Sequence, residues 1–169
     1  MINDDGRVAK LSVDGTDCSI YEPFPFDTKW WSHKTNGPAL RYELGVAVQS
    51  NHIVWVNGPF PAGEYPDISI FRTLLKSVLK RCREKAICDG GYKGEPRRVQ
   101  MKGDTNLTQE TRAFNDLARA RHETVNGRIK KYRSMTDRWR HGRDRHHFAF
   151  MAVVCLTQME LEYEPLFAI

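Results

Sequence analysis

Apolar and polar residues alternate along the first third of the chain in a way that predicts β-strands. The alternation over residues 11–20 predicts a first strand. Two further runs, residues 39–48 and 52–56, are separated by three polar residues and predict a β-hairpin. We expect the hairpin to end in the segment that holds Pro59, Pro61, Gly63 and Pro66.

From residue 67 onward, apolar residues recur mainly at steps of three and four, which predicts helices. Asp67 has the character of an N-cap in front of one amphipathic helix. The predicted helices cover residues 68–79, about 111–132 and about 144–159, and short apolar runs predict strands over residues 86–88 and 98–101. This order of elements is typical of an α/β fold, and we expect one domain over residues 1–169.

The composition is typical of a folded protein without a membrane span. Of 169 residues, 40% are apolar and 18 are aromatic, which argues against disorder. The longest apolar run, residues 148–156, is far shorter than the roughly 20 residues that cross a bilayer. The four cysteines form no Cys-x-x-Cys pair, so we expect buried thiols in a reducing compartment, with neither disulfides nor a zinc site.

Positive charge is concentrated in one stretch of the sequence. The net charge is +5, but residues 112–145 hold eleven Arg or Lys against four acidic residues, a local charge of +7. Segregated positive charge suits a polyanion such as nucleic acid. A solvated basic face gives the same pattern, and charge alone leaves both interpretations open.

Two aspartates followed by glycine lie in or directly after predicted strands. Asp14 precedes Gly15, and Asp89 precedes Gly90. Strand ends open onto the crevice of an α/β sheet, where carboxylates from separate elements can hold divalent metal ions for phosphodiester chemistry. Asp-Gly pairs are also common in plain turns, so either aspartate alone leaves that alternative open.

The long predicted helix offers Glu123 as a third carboxylate. Glu123 lies opposite an apolar stripe made of Phe114, Leu117, Val125, Ile129 and Tyr132. Small residues at 113, 120 and 127 recur on a second face near Glu123. We infer that this second face packs on the sheet and carries Glu123 toward the strand ends, with simple solvent exposure as the alternative.

Three blocks of sequence surround these acids: Val13-Asp14-Gly15-Thr16, Asp89-Gly90-Gly91-Tyr92 and residues 120–130, which contain Glu123. In this order and spacing they resemble the DDE transposases of the PIF/Harbinger type. Residues 31–34, 37–42 and 53–60 are similar to the central hairpin region of the same family. The 34-residue interval from Asp89 to Glu123 is close to the one usual in these enzymes.

The resemblance implies a ribonuclease-H-like fold, with a mixed five-stranded sheet flanked by helices. It also implies that Asp14, Asp89 and Glu123 are the catalytic residues and the ligands of two Mg²⁺ or Mn²⁺ ions. The implied reaction is cleavage of DNA phosphodiester bonds, with strand transfer as a following step. Asp17 stands where the family often has histidine, and we leave it outside the catalytic set.

DNA is the implied partner, and the implied location is the nucleus. Five cations near the acids are expected to contact DNA phosphates: Lys93, Arg97, Arg98, Arg119 and Lys130. The family generally uses a separate DNA-binding companion protein, and we include a homo-oligomer among the expected partners. Thirteen residues precede Asp14, where the family carries a helical DNA-reading segment, so we expect a catalytic core alone.

Two other functions stay open. A domesticated or relic copy would keep the fold and the basic surface as a DNA- or protein-binding module without catalysis. An RNA-processing nuclease of the same fold is the third interpretation. The three acids favour the enzyme, whereas the short stretch before Asp14 favours the binding module.

Two groups of aromatic residues are assigned structural or surface roles. We expect the tryptophans to pack in the core and not to stack on bases: Trp30, Trp31 and Trp55. We expect the histidines near the start of the last helix to face DNA or solvent and not to hold zinc: His141, His146 and His147.

Overall fold

A mixed β-sheet separates two groups of helices. The computed structural model describes residues 9–169. The strands are β1 (Ala9–Ser19), β2 (Trp31–Ser32), β3 (Gly37–Ala47), β4 (Ile53–Pro61), β5 (Lys85–Cys88) and β6 (Val99–Met101). β3 pairs antiparallel with β1, β2 and β4, while β5 pairs parallel with β1 and β6. The predicted α/β class and all five predicted strands are confirmed, and the two-residue β2 is too short to leave a periodic signal.

Helices cover both faces of this sheet. They are α1 (Asp67–Thr73), α2 (Leu75–Cys82), α3 (Gln109–Ile129), α4 (Arg133–Thr136) and α5 (Arg143–Tyr163). One face of β1 packs with α1 and α2, around Val13 and Phe71. The other face packs with α3 and α5, around Tyr42 and Phe150. No helix within residues 9–169 is long and apolar enough to cross a lipid bilayer.

The helix predicted over residues 68–79 is two helices. The chain leaves helical geometry at Leu74, which has φ −136° and is exposed. Leu75, the next residue, is buried in the core and begins α2. The prediction that Asp67 is an N-cap is also wrong, because Pro66 occupies that position and Asp67 makes no capping bond. The Asp67 carboxylate instead lies buried beside β1.

Strand β4 continues through Pro59 and ends at Pro61, within the segment expected to end it. Pro59 and Pro61 both lie within the strand. Among the described strands, β4 pairs only with β3, so it forms an edge of the sheet. Proline lacks an amide hydrogen, and an edge strand tolerates that loss because one side of it makes no ladder bonds.

The buried face of α3 differs from the prediction. It consists of Asn115, Ala118, Arg121, His122, Val125 and Ile129, whereas Ala113 and Gly127 are exposed. The predicted packing of the small-residue face on the sheet is therefore wrong. This face could not be recognised from the spacing of apolar residues, because half of its members are polar. They are tolerated there because they find buried partners, as when the Asn115 amide donates to Gln100 at 3.3 Å.

The burial of several histidines, cysteines and tryptophans was predicted from the sequence, and the structure confirms only some of these predictions. His146 is fully buried, and its Nδ1 is hydrogen-bonded to the Tyr42 hydroxyl at 2.7 Å, so the surface role predicted for it is wrong. The prediction of buried thiols is confirmed for Cys18 and Cys88 but wrong for Cys82 and Cys155, which are exposed. Trp55 packs against the core as predicted.

Candidate active site

The three carboxylates singled out from the sequence line one cavity of about 90 Å³. Asp14 comes from β1, Asp89 directly follows β5, and Glu123 lies on α3. Parallel pairing of β1 with β5 brings the two aspartates to the same region of the sheet. The cavity is open to solvent through Asp89 and Glu123, which are both exposed. Its volume is enough for several water molecules.

Asp14 is the most buried member of this group. Its Oδ1 accepts from the Gly15 amide at 2.8 Å, and its Oδ2 accepts from the Asn126 side chain at 3.1 Å. Burial raises the pKa of Asp14 to about 6, because a charged carboxylate loses hydration. The Lys34 ammonium opposes that rise, whereas the negative charges of Asp89 and Asp67 add to it.

Asp67 is a further carboxylate beside the site that sequence reasoning missed; it contacts Gly15 from the α1 side of β1 and does not line the cavity. A side chain built at Gly15 would lie 2.2 Å from Asp67 Oδ1, and one at Gly91 would lie 2.9 Å from its Oδ2. Gly15 and Gly91 therefore need to be glycine, because the Asp67 carboxylate fills the adjacent space, whereas a side chain at Gly90 would meet nothing within 4 Å. The sequence held one indirect signal of this contact. A turn alone does not require glycine at both position 15 and position 91, so these two glycines indicate a neighbouring group that leaves no room for a side chain.

Lys34 supplies positive charge between these acids. It lies in the loop between β2 and β3, and its Nζ donates to the Gly15 carbonyl at 3.0 Å and to Asp67 Oδ2 at 3.4 Å. Arg41 adds a second cation, with its Nε 3.5 Å from Asp67 Oδ1. These two cations offset the mutual repulsion of the neighbouring carboxylates.

Asp17 belongs to the structural framework. Arg41 binds it through two parallel contacts, Nε to Oδ1 at 2.7 Å and Nη2 to Oδ2 at 2.8 Å, and both side chains are buried. The Ser32 hydroxyl also donates to the same carboxylate. Exclusion of Asp17 from the catalytic set agrees with this arrangement, because its oxygens are already occupied.

Helix α3 is fixed against β1 by hydrogen bonds next to Glu123. His122 Nδ1 is hydrogen-bonded to the Ser12 carbonyl at 3.0 Å, so this nitrogen carries the proton. Burial lowers the pKa of His122 to about 4, and the neutral ring also lines the cavity. Together with the Asn126 bond to Asp14, this contact holds the Glu123 segment of α3 over the strand.

Arg119 is the predicted DNA contact that the structure brings to the cavity. It lies one turn before Glu123 and lines the same wall. Burial lowers the pKa of its guanidinium, and Glu123 and Asp89 oppose that effect. One guanidinium nitrogen pairs with Asp116, while Nη1 is buried without a hydrogen-bond partner.

A larger cleft of about 240 Å³ continues from Arg119 along the surface. Lys102 and Arg112 line it, and both are exposed. Sequence reasoning did not single out these two cations. The sequence gave only a weak signal for them: Arg112 belongs to the basic stretch, and Lys102 lies ten residues before it. The packing of α3 beside β6 brings both cations next to Arg119.

The other predicted DNA contacts lie in different surroundings. Lys93 and Arg97 are exposed on the loop that follows Asp89, and Arg98 is partly buried at the start of β6. The Lys130 ammonium donates to the carbonyls of Asp17 and Met135, so it ties the end of α3 to β1. Contact of these residues with DNA stays a prediction.

Glu43 is a second buried carboxyl near the site, on the α1 face of the sheet. It accepts from the Trp55 indole at 2.8 Å, and its Oε1 has no hydrogen-bond partner within residues 9–169. Burial raises the pKa of Glu43 to about 7, and the charge of Asp67 contributes to the rise. Glu43 therefore carries a proton over much of the acidic range.

The donor chemistry of the cavity fits a hard divalent cation. Asp14, Asp89 and Glu123 offer only oxygen ligands, which Mg²⁺ and Mn²⁺ prefer. Asp67 Oδ1 is buried and accepts no hydrogen bond from a described residue. Within residues 9–169, however, no three Asp, Glu, His or Cys side chains come close enough together to share one ion. Binding would therefore require these carboxylates to move closer together.

The chain matches no protein-family model, no curated protein and no solved structure. Functional assignment therefore depends on the chemistry and geometry of the cavity.

Proposed function

We propose that this protein is a divalent-metal-dependent endonuclease core that cuts DNA phosphodiester bonds. The observation that carries the proposal is the single cavity shared by Asp14, Asp89 and Glu123, with Arg119 in its wall. Oxygen ligands beside a guanidinium are the groups that hydrolysis or transfer at a phosphodiester requires. DNA as the partner and the nucleus as the location belong to the same proposal.

A ribonuclease-H-like fold, as in the PIF/Harbinger-type DDE transposases, is part of this proposal. It is supported by an antiparallel series of β1, β3 and β4 followed by helices and then by the parallel strands β5 and β6. The same expectation is supported by the position of Asp14 in β1, of Asp89 directly after the neighbouring strand β5 and of Glu123 on α3.

Each residue of the site has a distinct role in the proposed reaction. Asp14, Asp89 and Glu123 would hold two Mg²⁺ or Mn²⁺ ions, which supply Lewis-acid activation of water and stabilise the departing 3′ oxygen. Asn126 orients Asp14 through its bond to Oδ2. Arg119 lines the cavity, so its guanidinium would bind a phosphate oxygen there through a charge-assisted hydrogen bond.

A cleavage assay on end-labelled duplex DNA and on RNA, with Mn²⁺ or Mg²⁺, tests the proposal. We expect the wild type to cut DNA, and Glu123→Gln to lower the rate by about 100-fold or more, since it removes a metal ligand without changing side-chain shape. Glu110→Gln is the matched control, because Glu110 is exposed on the first turn of the same helix and lies outside the cavity.

Three results would contradict the proposal. Absence of cleavage with either metal would leave the binding module as the function. Equal rates for the wild type and Glu123→Gln would assign the activity to a contaminant. Cleavage of RNA but not DNA would favour the RNA-processing alternative.

The binding module without catalysis is the second candidate, and one observation favours it. No three potential ligands within the described residues lie close enough to share an ion, and Lys34 already contributes a cation to the acids. Under this alternative the clefts beside Arg119 would still contact phosphates, so DNA binding would survive in a protein that never cuts.

A further inference from the structure

A second cleft, of about 500 Å³, lies between the turn that joins β2 to β3 and the loop that follows β4. Trp31, His33, Lys34 and Arg41 form part of its wall, and no acidic side chain within residues 9–169 lines it. We call this site the Trp31 cleft. It combines an aromatic ring with cationic side chains in one concave surface.

Trp31 does not have the core role that was predicted for it. Trp30 and Trp55 pack against buried apolar clusters, whereas Trp31 belongs to none of the clusters formed by the described residues. Its half-buried ring lines the cleft and meets the ring of Phe26 edge to face, with centroids 6.5 Å apart. An indole at the wall of an open cleft is available to stack on a flat ligand such as a nucleobase.

Lys34 connects this cleft to the acids of the candidate active site. Its Nζ donates to the Gly15 carbonyl at 3.0 Å and to Asp67 Oδ2 at 3.4 Å, next to Asp14 in the sequence. An ammonium has three hydrogens, so one remains for a further acceptor, and the side chain is 45% exposed. A phosphate held here would therefore lie beside the carboxylate cavity.

The other two cationic side chains of the cleft differ in what they offer a ligand. His33 is exposed on the same turn as Lys34 and can donate a ring N–H. Arg41 is buried, and its charge is paired with the buried Asp17. The charge available to an anion therefore comes mainly from Lys34, with His33 as a neighbouring donor. One anionic group next to an aromatic ring is the pattern that a nucleotide matches.

Hydrogen bonds and close packing hold the walls of the cleft in place. The Ser32 hydroxyl donates to the buried Asp17, and the Lys34 amide donates to Ser32 Oγ at 3.0 Å. On the opposite wall, a side chain built at Gly63 would lie 2.8 Å from the Trp31 carbonyl, so the two segments touch through their backbones. Walls that are formed before binding lower the entropic cost of holding a ligand.

We propose that the Trp31 cleft binds one unpaired nucleotide of a nucleic-acid strand next to the carboxylate cavity. The base stacks on Trp31, and its phosphate is bound by Lys34 and His33. The volume of about 500 Å³ lies in the range typical of small-ligand sites. A base inside a duplex has both faces covered by its neighbours, so the bound nucleotide is unpaired or turned out of the stack.

This inference rests on the proposed function only in its choice of nucleic acid as the partner. It does not require the protein to cut the strand, because no residue of the carboxylate cavity lines the Trp31 cleft. Binding can therefore be measured in EDTA, which removes divalent metal ions and prevents metal-dependent cleavage.

Fluorescence anisotropy with two labelled strands tests the cleft. One is an oligothymidine of about ten nucleotides, and the other is an abasic strand of the same length, which keeps the phosphates but lacks the bases. We expect the wild type to bind the first strand about tenfold more tightly, because stacking contributes affinity for each base held. Trp31→Leu should bring the two affinities within about twofold of each other, and Trp31→Phe should keep part of the difference.

Two further variants separate stacking from charge. Phe148→Leu is the matched control for the ring, because Phe148 is 73% exposed on α5 and lies outside the cleft, so the preference for bases should not change. Lys34→Gln should weaken binding of both strands by a similar factor, because it removes a phosphate contact. Circular dichroism of each variant checks that the fold is retained.

Four results would overturn the proposal. They are equal affinity of the wild type for both strands, binding of neither strand, a preference for bases that Trp31→Leu leaves intact, and displacement of the strand by thymidine monophosphate below about 10 µM. The last result would assign the cleft to a free nucleotide.

The cleavage assay distinguishes this failure from failure of the nuclease. A protein that cuts DNA but shows no preference for bases would contradict the cleft alone. A protein whose preference depends on Trp31 but which never cuts would contradict the nuclease alone.

Discussion

At the scale of single residues, the site is defined by charges held close together. Asp67 and Lys34 lie between the two Asp-Gly turns and connect α1 to the loop before β3. Burial and neighbouring carboxylates raise the pKa of Asp14, and burial raises that of Glu43. Ionisation of either group therefore costs folding free energy, unless a cation is supplied.

Replacement of Glu43 by glutamine should make the protein more stable at pH 8. The folded-state pKa of Glu43 lies above its usual value of 4.5, so the folded protein binds more protons than the unfolded chain between pH 4.5 and about 7. The contribution of Glu43 to the free energy of unfolding is therefore fully present below pH 4.5 and is lost as the pH rises through about 7. Glu43→Gln removes this loss and should gain up to about 3 kcal/mol at pH 8 and little at pH 4.5.

Urea unfolding of the wild type and Glu43→Gln at both pH values measures this difference. The buried histidines titrate in both proteins, so their contribution cancels. Glu110→Gln, an exposed control, should change stability little at either pH. A difference that stays constant from pH 4.5 to 8 would mean that Glu43 does not gain a proton on folding.

Residue type and spacing predicted which acids come together, but not the packing that brings them there. Asp14, Asp89 and Glu123 do line one cavity, although the expected route for Glu123 was wrong, because α3 packs through His122 and not through its small residues. Asp67 was missed because its role depends on space left by two distant glycines. Such a contact arises only from tertiary packing.

At the scale of elements, the spacing of apolar residues predicted the positions of helices and strands well. It predicted their ends and interruptions less well. The strands and long helices were found because apolar residues recur along them at the expected spacing, even where polar residues interrupt the buried face, as in α3. The break between α1 and α2 was missed because Leu74 and Leu75 both fit one apolar stripe. The extension of β4 was missed because edge pairing makes its prolines acceptable.

Truncation of the two adjacent leucines tests the helix break. Leu75→Ala should cost about 2–5 kcal/mol of unfolding free energy, because it leaves a cavity among buried residues. Leu74→Ala, its matched control, should cost less than about 1 kcal/mol, because that side chain is half exposed. Chemical denaturation at pH 7 measures both, and equal losses would contradict the break at Leu74.

At the scale of the whole molecule, cationic clefts flank the carboxylate cavity. One contains Lys102 and Arg112 and continues from Arg119. The other, of about 500 Å³, contains Lys34 together with His33 and Arg41. Phosphates of a bound nucleic acid would meet Lys102, Arg112 and Arg119 on one side of the acids and Lys34 on the other. Of these cations only Arg112 and Arg119 belong to the basic stretch of residues 112–145.

DNA affinity should therefore depend steeply on salt. A track with about six phosphate contacts would lose on the order of 1,000-fold in affinity between 50 and 200 mM salt. Lys102→Gln combined with Arg112→Gln should lower the slope of log K against log salt by about 2, since two contacts are removed. Fluorescence anisotropy with a labelled duplex measures the slope.

Lys131→Gln is the control for that experiment, because Lys131 pairs with Glu160 on the α5 side and lines neither cleft. Its slope should equal that of the wild type. A double variant with an unchanged slope would show that DNA does not follow the cleft beside Arg119.

The two prolines of β4 also limit how this molecule can polymerise. Pro59 and Pro61 deprive the outer margin of the sheet of two amide hydrogens, so an incoming chain finds fewer donors to register against. Growth by endless strand addition is thereby discouraged along this margin of the sheet.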